Sequence, residues 1–286
     1  MMNVKVMAPA KINLMLDVTG KRDDGYHTLT TIMQSISLAD IVTITEQNDG
    51  IITVKSSDAT IPFDKSNIAY KAAEKFAEYA DIQYNGLNIH IQKNIPSQAG
   101  LGGGSADAAA VLVGMNYMFG TELSVEQLCD IAISIGADVP FCVSGGTKLC
   151  TGIGEIMTTI TPLEQCYVVV AKGNSGISTK VAFEKIDATG FEKSIDCSKY
   201  TGSVHSVKEI GYNSFEKVTE NSDVEYIKKK MLDMGAEYSA MSGSGSAVFG
   251  IFTDNDEAQL CCDSLSKSEF FSTLCYPIGN GAEVIV

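Results

Sequence analysis

Pro96-Ser-Gln-Ala-Gly-Leu-Gly-Gly-Gly-Ser-Ala-Asp-Ala-Ala-Ala110 decides the reading of this chain. Four glycines fall within the five positions Gly100 to Gly104, and an alanine-rich run follows. Glycine takes positive φ at no steric cost and lets a ligand approach the backbone. A helix start presents unbonded N–H groups and the positive end of the helix dipole. A glycine-rich turn into a helix therefore builds an anion site suited to phosphate. The spacing predicts a loop over 96–104 and a helix over 105–119. Ser105 is its expected N-cap, or a hydroxyl donor to phosphate or metal. Asp107 is placed in the first turn, where a carboxylate complements the dipole. The competing reading is a strand-to-helix connector, which needs one glycine rather than four.

Other phosphate loops are excluded. No G-x-x-x-x-G-K-[ST] occurs, and G-x-G-x-x-G fails because position 105 is serine. The G-x-S-x-G elbow is absent as well.

Outside the loop, the chain reads as an acidic globular protein. It has 286 residues, 45% hydrophobic and 20% charged, enough for one large domain or two packed ones. The formal charge of −14 opposes duplex nucleic acid and anionic membrane, both of which need dense lysine and arginine. Neither is an expected partner, and no obligate protein partner is implied. Apolar runs such as 108–114 are too short to span a bilayer. The first eleven residues lack signal-peptide features, so the cytoplasm is the expected compartment. None of the eight cysteines forms C-x-x-C or pairs with histidine at zinc spacing. They read as reduced, small apolar residues.

The remaining elements follow from periodicity. Val4–Val6, 40–45 and 51–55 read as strands. Apolar residues every fourth position from Ile68 to Ala80 predict a helix over 67–80. Residues 87–93 alternate, which predicts a strand with His90 facing solvent. Ser124-Val-Glu-Gln127 and Ser222-Asp-Val-Glu225 read as capping boxes, the second opening a helix with Val224, Ile227 and Met231 inward. Residues 140–154 are turn-rich and mark an expected domain seam. Strands are predicted over 167–171, 247–252 and 282–286, and a helix over 256–267. Residues 172–207 carry no clear pattern. Lys228–Lys230 read as a solvated face. The irregular interleaving favours a two-layer α+β fold over a doubly wound sheet.

Three segments then carry a resemblance. The loop over 96–106 resembles the second motif of the GHMP kinase superfamily. Met241-Ser-Gly-Ser-Gly-Ser246 resembles the third and Ala8-Pro-Ala-Lys-Ile-Asn-Leu14 the first. Gly25-Tyr-His-Thr-Leu29, Gly136-Ala-Asp-Val-Pro140 and Gly152-Ile-Gly-Glu155 narrow it to the branch acting on a cytidine diphosphate-linked methylerythritol in the non-mevalonate isoprenoid route. The motifs span nearly the whole chain. Ser246 departs from the pattern, which commonly has proline there.

The resemblance implies an ATP-dependent kinase with a two-domain α+β fold. An ATP-binding, ribosomal-protein-like domain would cover 1–155 and a substrate-binding α/β sandwich 156–281, with the strand over 282–286 returning to the first. The active site would lie in the cleft between them. By resemblance, Asp138 is the general base and Lys11 its partner. Pro96, Ser97, Gln98, Ala99, Gly100, Leu101, Gly102, Gly103, Gly104, Ser105 and Ala106 bind ATP. Asn67 and Lys93 contact its nucleoside, though the residues alone read equally as a helix cap and a solvated strand end. Asn13 and Thr179 would contact the substrate, Tyr26 would stack on cytosine, the His27 main chain would read the base edge, and Phe183 would form the opposite wall. The residues alone also read as a turn cap at Asn13, a turn whose aromatic covers the core at Tyr26-His27, and an ordinary core residue at Phe183. Mg²⁺ is implied, with Ser105 as its one candidate protein ligand. Another small-molecule GHMP kinase and a non-catalytic nucleotide-binding regulator are the alternatives.

Overall fold

The computed structural model describes residues 2–191 and 195–285. It opens with two long strands, β1 (Asn3–Lys21) and β2 (His27–Glu46), paired antiparallel from Asn3 opposite Thr45 to Lys21 opposite His27. The expected strands at Val4–Val6 and 40–45 are the far ends of this one hairpin. Their pattern is hard to extend because β1 is buried on both faces from Ala8 to Val18 and three register shifts interrupt its alternation. One shift, between Pro9 and Lys11, bends the strand where it meets the glycine loop.

β3 (Ile52–Ser56), α1 (Ile68–Ala80), β4 (Leu87–Gln92), α2 (Gly103–Phe119), α3 (Val125–Ile133), α4 (Val139–Ser144), β5 (Thr147–Thr151) and β6 (Ile156–Thr159) follow. The first sheet runs β1-β2-β4-β3, and β5 pairs with the near end of β2. β6 pairs with β5, so the division expected after residue 155 falls inside a hairpin. α2 is buried on nearly all sides, which its alanines permit. A Cβ on Gly114 would stand 2.7 Å from Ile44 Cδ1, so glycine sets the approach of α2 to the sheet. The capping box at Ser124 forms as read.

The second half comprises β7 (Tyr167–Lys172), α5 (Thr179–Thr189), α6 (Val204–Ile210), α7 (Ser222–Asp233), β8 (Tyr238–Met241), β9 (Val248–Phe252), α8 (Asn255–Lys267) and β10 (Phe271–Cys275). Its antiparallel sheet runs β10-β7-β9-β8. α7 is capped by Asn221, not by the expected box at Ser222: Asn221 Oδ1 accepts from the N–H groups of Asp223 and Val224 at 3.0 and 3.2 Å. The chain ends in β11 (Glu283–Val284), which returns to the first sheet with Val284 opposite Val6. The strand expected over 282–286 narrows to these two residues, and Val286 lies outside the described residues.

The halves share their cores. Leu16 and Val18 of β1 pack with Met231 and Phe252, while Val168 and Phe249 of the second sheet join the first cluster. All eight cysteines are free thiols, and burial pushes Cys150 and Cys275 up to about 12. No described helix is long and apolar enough to cross a membrane.

Candidate active site

The glycine loop is shaped by backbone that side chains rarely adopt. Gly100 and Gly102 have φ of +76° and +72°. Gly102 turns the chain directly into α2, so the helix starts at Gly103, two residues earlier than predicted. Ser105 is therefore not the cap. It lies in the first turn, and Gly102 supplies no capping side chain. The N–H groups of that turn stay available to an anion.

The loop is laced to the second glycine-rich segment. Ser242 Oγ donates to the Gly100 carbonyl at 2.9 Å, and the Ala247 N–H donates to the Ala99 carbonyl at 3.0 Å. On the other side, the Lys11 N–H donates to the Leu101 carbonyl at 3.0 Å. Ser246, the departure from the motif, is buried and donates from Oγ to the Ser175 carbonyl at 2.6 Å.

β1 aims Lys11 and Asn13 at the loop. Lys11 is buried, and its Nζ donates to Asn13 Oδ1 at 2.7 Å and lies 3.7 Å from Asp138 Oδ2. Asn13 Nδ2 donates to Thr31 Oγ1 at 2.8 Å, and Thr31 Oγ1 donates to the Met15 carbonyl at 2.6 Å. This chain of bonds holds the ammonium in place. Asp138 sits at the N-terminus of α4 without a side-chain cap bond, and 36% of its side chain is exposed. It is the accessible member of a pair whose cation is fixed.

Two cavities meet at the loop. The larger, about 960 Å³, is lined by Lys11, Asn13, Asp138, Tyr26, His27 and Phe183 among others. The smaller, about 420 Å³, lies between the start of α1 and the loop. Gln98, Gly100, Gly102 and Ser105 line both. Tyr26 also lines the larger cavity, and the residue is 60% exposed. The His27 imidazole stacks on Phe183 with centroids 4.3 Å apart and planes 18° off parallel.

Beneath the smaller cavity lies a buried ionic cluster. Lys93 Nζ donates to Asp107 Oδ2 at 2.8 Å and also to Asp40. Asp40 Oδ1 accepts from the N–H groups of Asn94 and Ile95 at 2.6 and 2.8 Å. Burial pushes the Asp107 carboxyl up to about 8, against the opposing pull of Lys93 and with the help of Asp40. Its Oδ1 makes no hydrogen bond within the protein. Burial would lower the Lys93 ammonium, but Asp107 and Asp40 outweigh it and raise it.

The comparisons agree with this architecture. The GHMP kinases N terminal domain model matches residues 67–146, and the GHMP kinases C terminal model matches 210–270. The 4-diphosphocytidyl-2-C-methyl-D-erythritol kinase of Clostridium tetani is 41% identical over 271 residues, covering 90% of this chain and 94% of that one. Its namesake from Clostridium botulinum strain Kyoto is 43% identical over 267 residues, 91% and 95% covered. The chain belongs to the 4-diphosphocytidyl-2-C-methyl-D-erythritol kinase family of GHMP kinases. A crystal structure of 4-(cytidine 5'-diphospho)-2C-methyl-D-erythritol kinase superposes with a TM-score of 0.81 at 29% identity, covering 97% of this chain and all of the other. A homoserine kinase from Cytophaga hutchinsonii superposes at 0.77 with 21% identity, 99% of this chain and 97% of that one, and shares the fold.

In this GHMP kinase the structure gathers the sequence-predicted residues unevenly. Lys11, Asn13, Tyr26, His27, Asp138, Thr179 and Phe183 all line the larger cavity, and Pro96 to Ser105 with Asn67 and Lys93 line the smaller. Ala106 is buried and is in neither lining. Asn67 caps α1, accepting from the Ala69 N–H at 2.8 Å and donating to the Pro62 carbonyl at 2.7 Å. Lys93 is no solvated strand end, because its ammonium is enclosed by two carboxylates. Asp107 sits past the first turn and serves Lys93, not the helix dipole. Phe183 faces the His27 imidazole, so its nearest ring partner is not Tyr26.

Asp187 was missed. It also lines the larger cavity and accepts from Lys21 Nζ at 2.6 Å and lies 2.7 Å from His27 Nε2. The bond from Lys21 and then that from His27 hold its carboxyl below the usual range. A signal was present: Thr179, Phe183 and Asp187 recur every fourth residue and so share one face of α5. Asp40 had no such signal, since it meets Lys93 and Asp107 only in the folded sheet.

Proposed function

We propose that this ATP-dependent kinase phosphorylates the 2-hydroxyl of 4-diphosphocytidyl-2-C-methyl-D-erythritol. The observation that carries the reading is the junction of two cavities at Gly102 and Ser105, with the Lys11–Asp138 pair on the wall of the larger. The relatives' names supply the substrate, and the exposed Tyr26 ring offers a flat apolar face suited to a base.

In this mechanism the loop and the free N–H groups of α2 hold the ATP phosphates in the smaller cavity, with the γ-phosphorus directed toward Ser105. The alcohol lies in the larger cavity with its 2-hydroxyl at Asp138. The hydroxyl oxygen forms a bond to the γ-phosphorus as the bond to the β–γ bridging oxygen breaks and ADP leaves. Asp138 takes the hydroxyl proton. Lys11, fixed by Asn13, orients the pair and steadies the charge that develops on the attacking oxygen.

Mg²⁺ takes oxygen ligands and keeps several waters. Ser105 offers a hydroxyl where the cavities meet, and no group of three His, Cys, Asp or Glu gathers among the described residues. That donor set fits an ion carried mainly by the nucleotide, with Ser105 as the one protein ligand. When bound, Mg²⁺ neutralises charge on the β- and γ-phosphates.

The test is ADP release with the cytidine substrate beside a panel of sugars and mevalonate. Turnover confined to the cytidine substrate supports the reading. Active protein that phosphorylates mevalonate or a sugar and ignores the cytidine substrate overturns it.

A further inference from the structure

The Asp187 contact crosses the cleft. Lys21 and His27 flank the loop over 22–26 that joins β1 to β2 in the first half, whereas Asp187 belongs to α5 in the second. Its two oxygens divide the work: Oδ2 accepts from Lys21 and Oδ1 meets His27 Nε2. Phe183, one turn earlier on α5, covers the face of the same imidazole, and Phe215 meets Phe183 edge-on at 4.9 Å. The ring is thus fixed in two ways. The stack sets its plane, and the carboxylate sets its rotation and selects the form with hydrogen on Nε2. The His27 side chain is only 9% exposed although it lines an open cavity.

A side chain anchored at plane and rotation constrains the main chain that bears it. Here that main chain directly follows Tyr26, whose N–H is itself tied to Asp24 Oδ1 at 3.1 Å. A tight turn with a clamped residue at its end presents its N–H and C=O groups at fixed positions. Discrimination between bases requires this, because stacking alone tolerates any flat ring.

We propose that Asp187 is a positioning residue for base recognition: through the His27 imidazole it fixes the Tyr26–His27 main chain against the substrate's base. This rests on the cytidine reading above. Asp187 itself need touch no substrate atom, and its loss leaves Lys11, Asp138 and the glycine loop intact.

The experiment measures kcat and KM for the cytidine substrate, its uridine analogue and ATP in wild type, Asp187→Ala, Asp187→Asn, His27→Ala and the Asp187→Ala/His27→Ala double variant. Asp187→Ala is expected to raise KM for the cytidine substrate about tenfold, the scale of one lost charge-assisted bond. Its preference for cytidine over uridine should narrow, while kcat and KM for ATP stay within about twofold. Asp187→Asn should recover most of the loss, since its amide oxygen still accepts from Nε2–H. His27→Ala should match Asp187→Ala, and the double variant should be no worse than either, because both remove one anchor. An unchanged KM in Asp187→Ala, a KM for ATP that rises in step, no recovery in Asp187→Asn, or losses that multiply in the double variant would each overturn the proposal. Wild type that ignores the cytidine substrate but phosphorylates another alcohol overturns the cytidine reading itself, a result distinct from all of these.

Discussion

The carbonyl oxygen of Ser242 fills the space that a side chain on Gly100 would need: a Cβ there would stand 2.0 Å from it. The obstacle is backbone and cannot swing aside. Gly100 also has φ of +76°, where an L side chain is strained. Gly100→Ala should therefore destabilise the protein by about 2–4 kcal/mol, combining strain with overpacking. Gly104 is the control within the same loop. It lies in α2, and its added Cβ meets only the Ile68 side chain, at 3.5 Å, an ordinary van der Waals contact. Gly104→Ala should cost about 1 kcal/mol or less. Thermal unfolding of both variants decides it, and equal Tm values would show that the contact with Ser242 does not constrain the loop.

Asp138→Asn keeps the shape of the side chain and removes its ability to take a proton. A fall in kcat of about 10²–10⁴-fold is expected, with ATP affinity by calorimetry nearly unchanged. Lys11→Met should be comparably damaging. In the proposed mechanism the two residues act as one unit, so the double variant should lose far less than the product of the two. Near-wild-type turnover in either single variant would remove that residue from the mechanism.

Tyr26 tests the stacking face. Base–aromatic stacking is worth about 1–3 kcal/mol, so Tyr26→Ala should lose about 10- to 100-fold in affinity for the cytidine substrate. Tyr26→Phe should be mild, since the ring makes the stack. Competition binding with cytidine diphosphate reads both. An Ala variant that binds as wild type would take the ring out of recognition.

Asp107 predicts a pH dependence of stability. Its carboxyl is raised to about 8 in the folded protein by burial, against an ordinary value near 3.8. The folded state thus holds a proton that the unfolded chain releases at lower pH. This contribution is fully present below the ordinary value and is lost as pH rises through about 8. Urea midpoints of wild type should fall from pH 5 to pH 9 more steeply than those of Asp107→Asn, which carries no titrating proton at this position. Parallel profiles would mean that Lys93 keeps Asp107 ionised throughout.

The sequence made the glycine loop and most helices legible because each is written in a short local pattern, whereas the pairing of Lys11 with Asp138 followed only from the family resemblance. The start of α2 was misread because it depends on the left-handed turn at Gly102, and four consecutive small residues, Gly102 to Ser105, offer no marker for where such a turn falls. The Asp40–Lys93–Asp107 cluster was invisible for a different reason. Its members come from β2, the end of β4 and α2, and only sheet pairing brings them together. Asp187 lay between these cases: its spacing from Thr179 and Phe183 was readable, but the surrounding polar stretch hid it.

The pairing of β11 with β1 sets an order of events in the cell. Among the described residues, the outer edge of β1 has no strand beside it apart from two short contacts, Val6 and Met7 with β11 and Leu16 with Asn213. Both contacts come from late in the chain. At about 5–20 residues per second, a ribosome needs roughly a quarter of a minute or more to deliver β11 after β1 has emerged. Throughout that interval a long, largely apolar strand presents unpaired N–H and C=O groups to whatever is nearby. The nascent chain is thus most exposed to misassembly when its phosphate loop has already been made, and a holdase that shields this edge during synthesis should raise the yield of native protein more than one added after release.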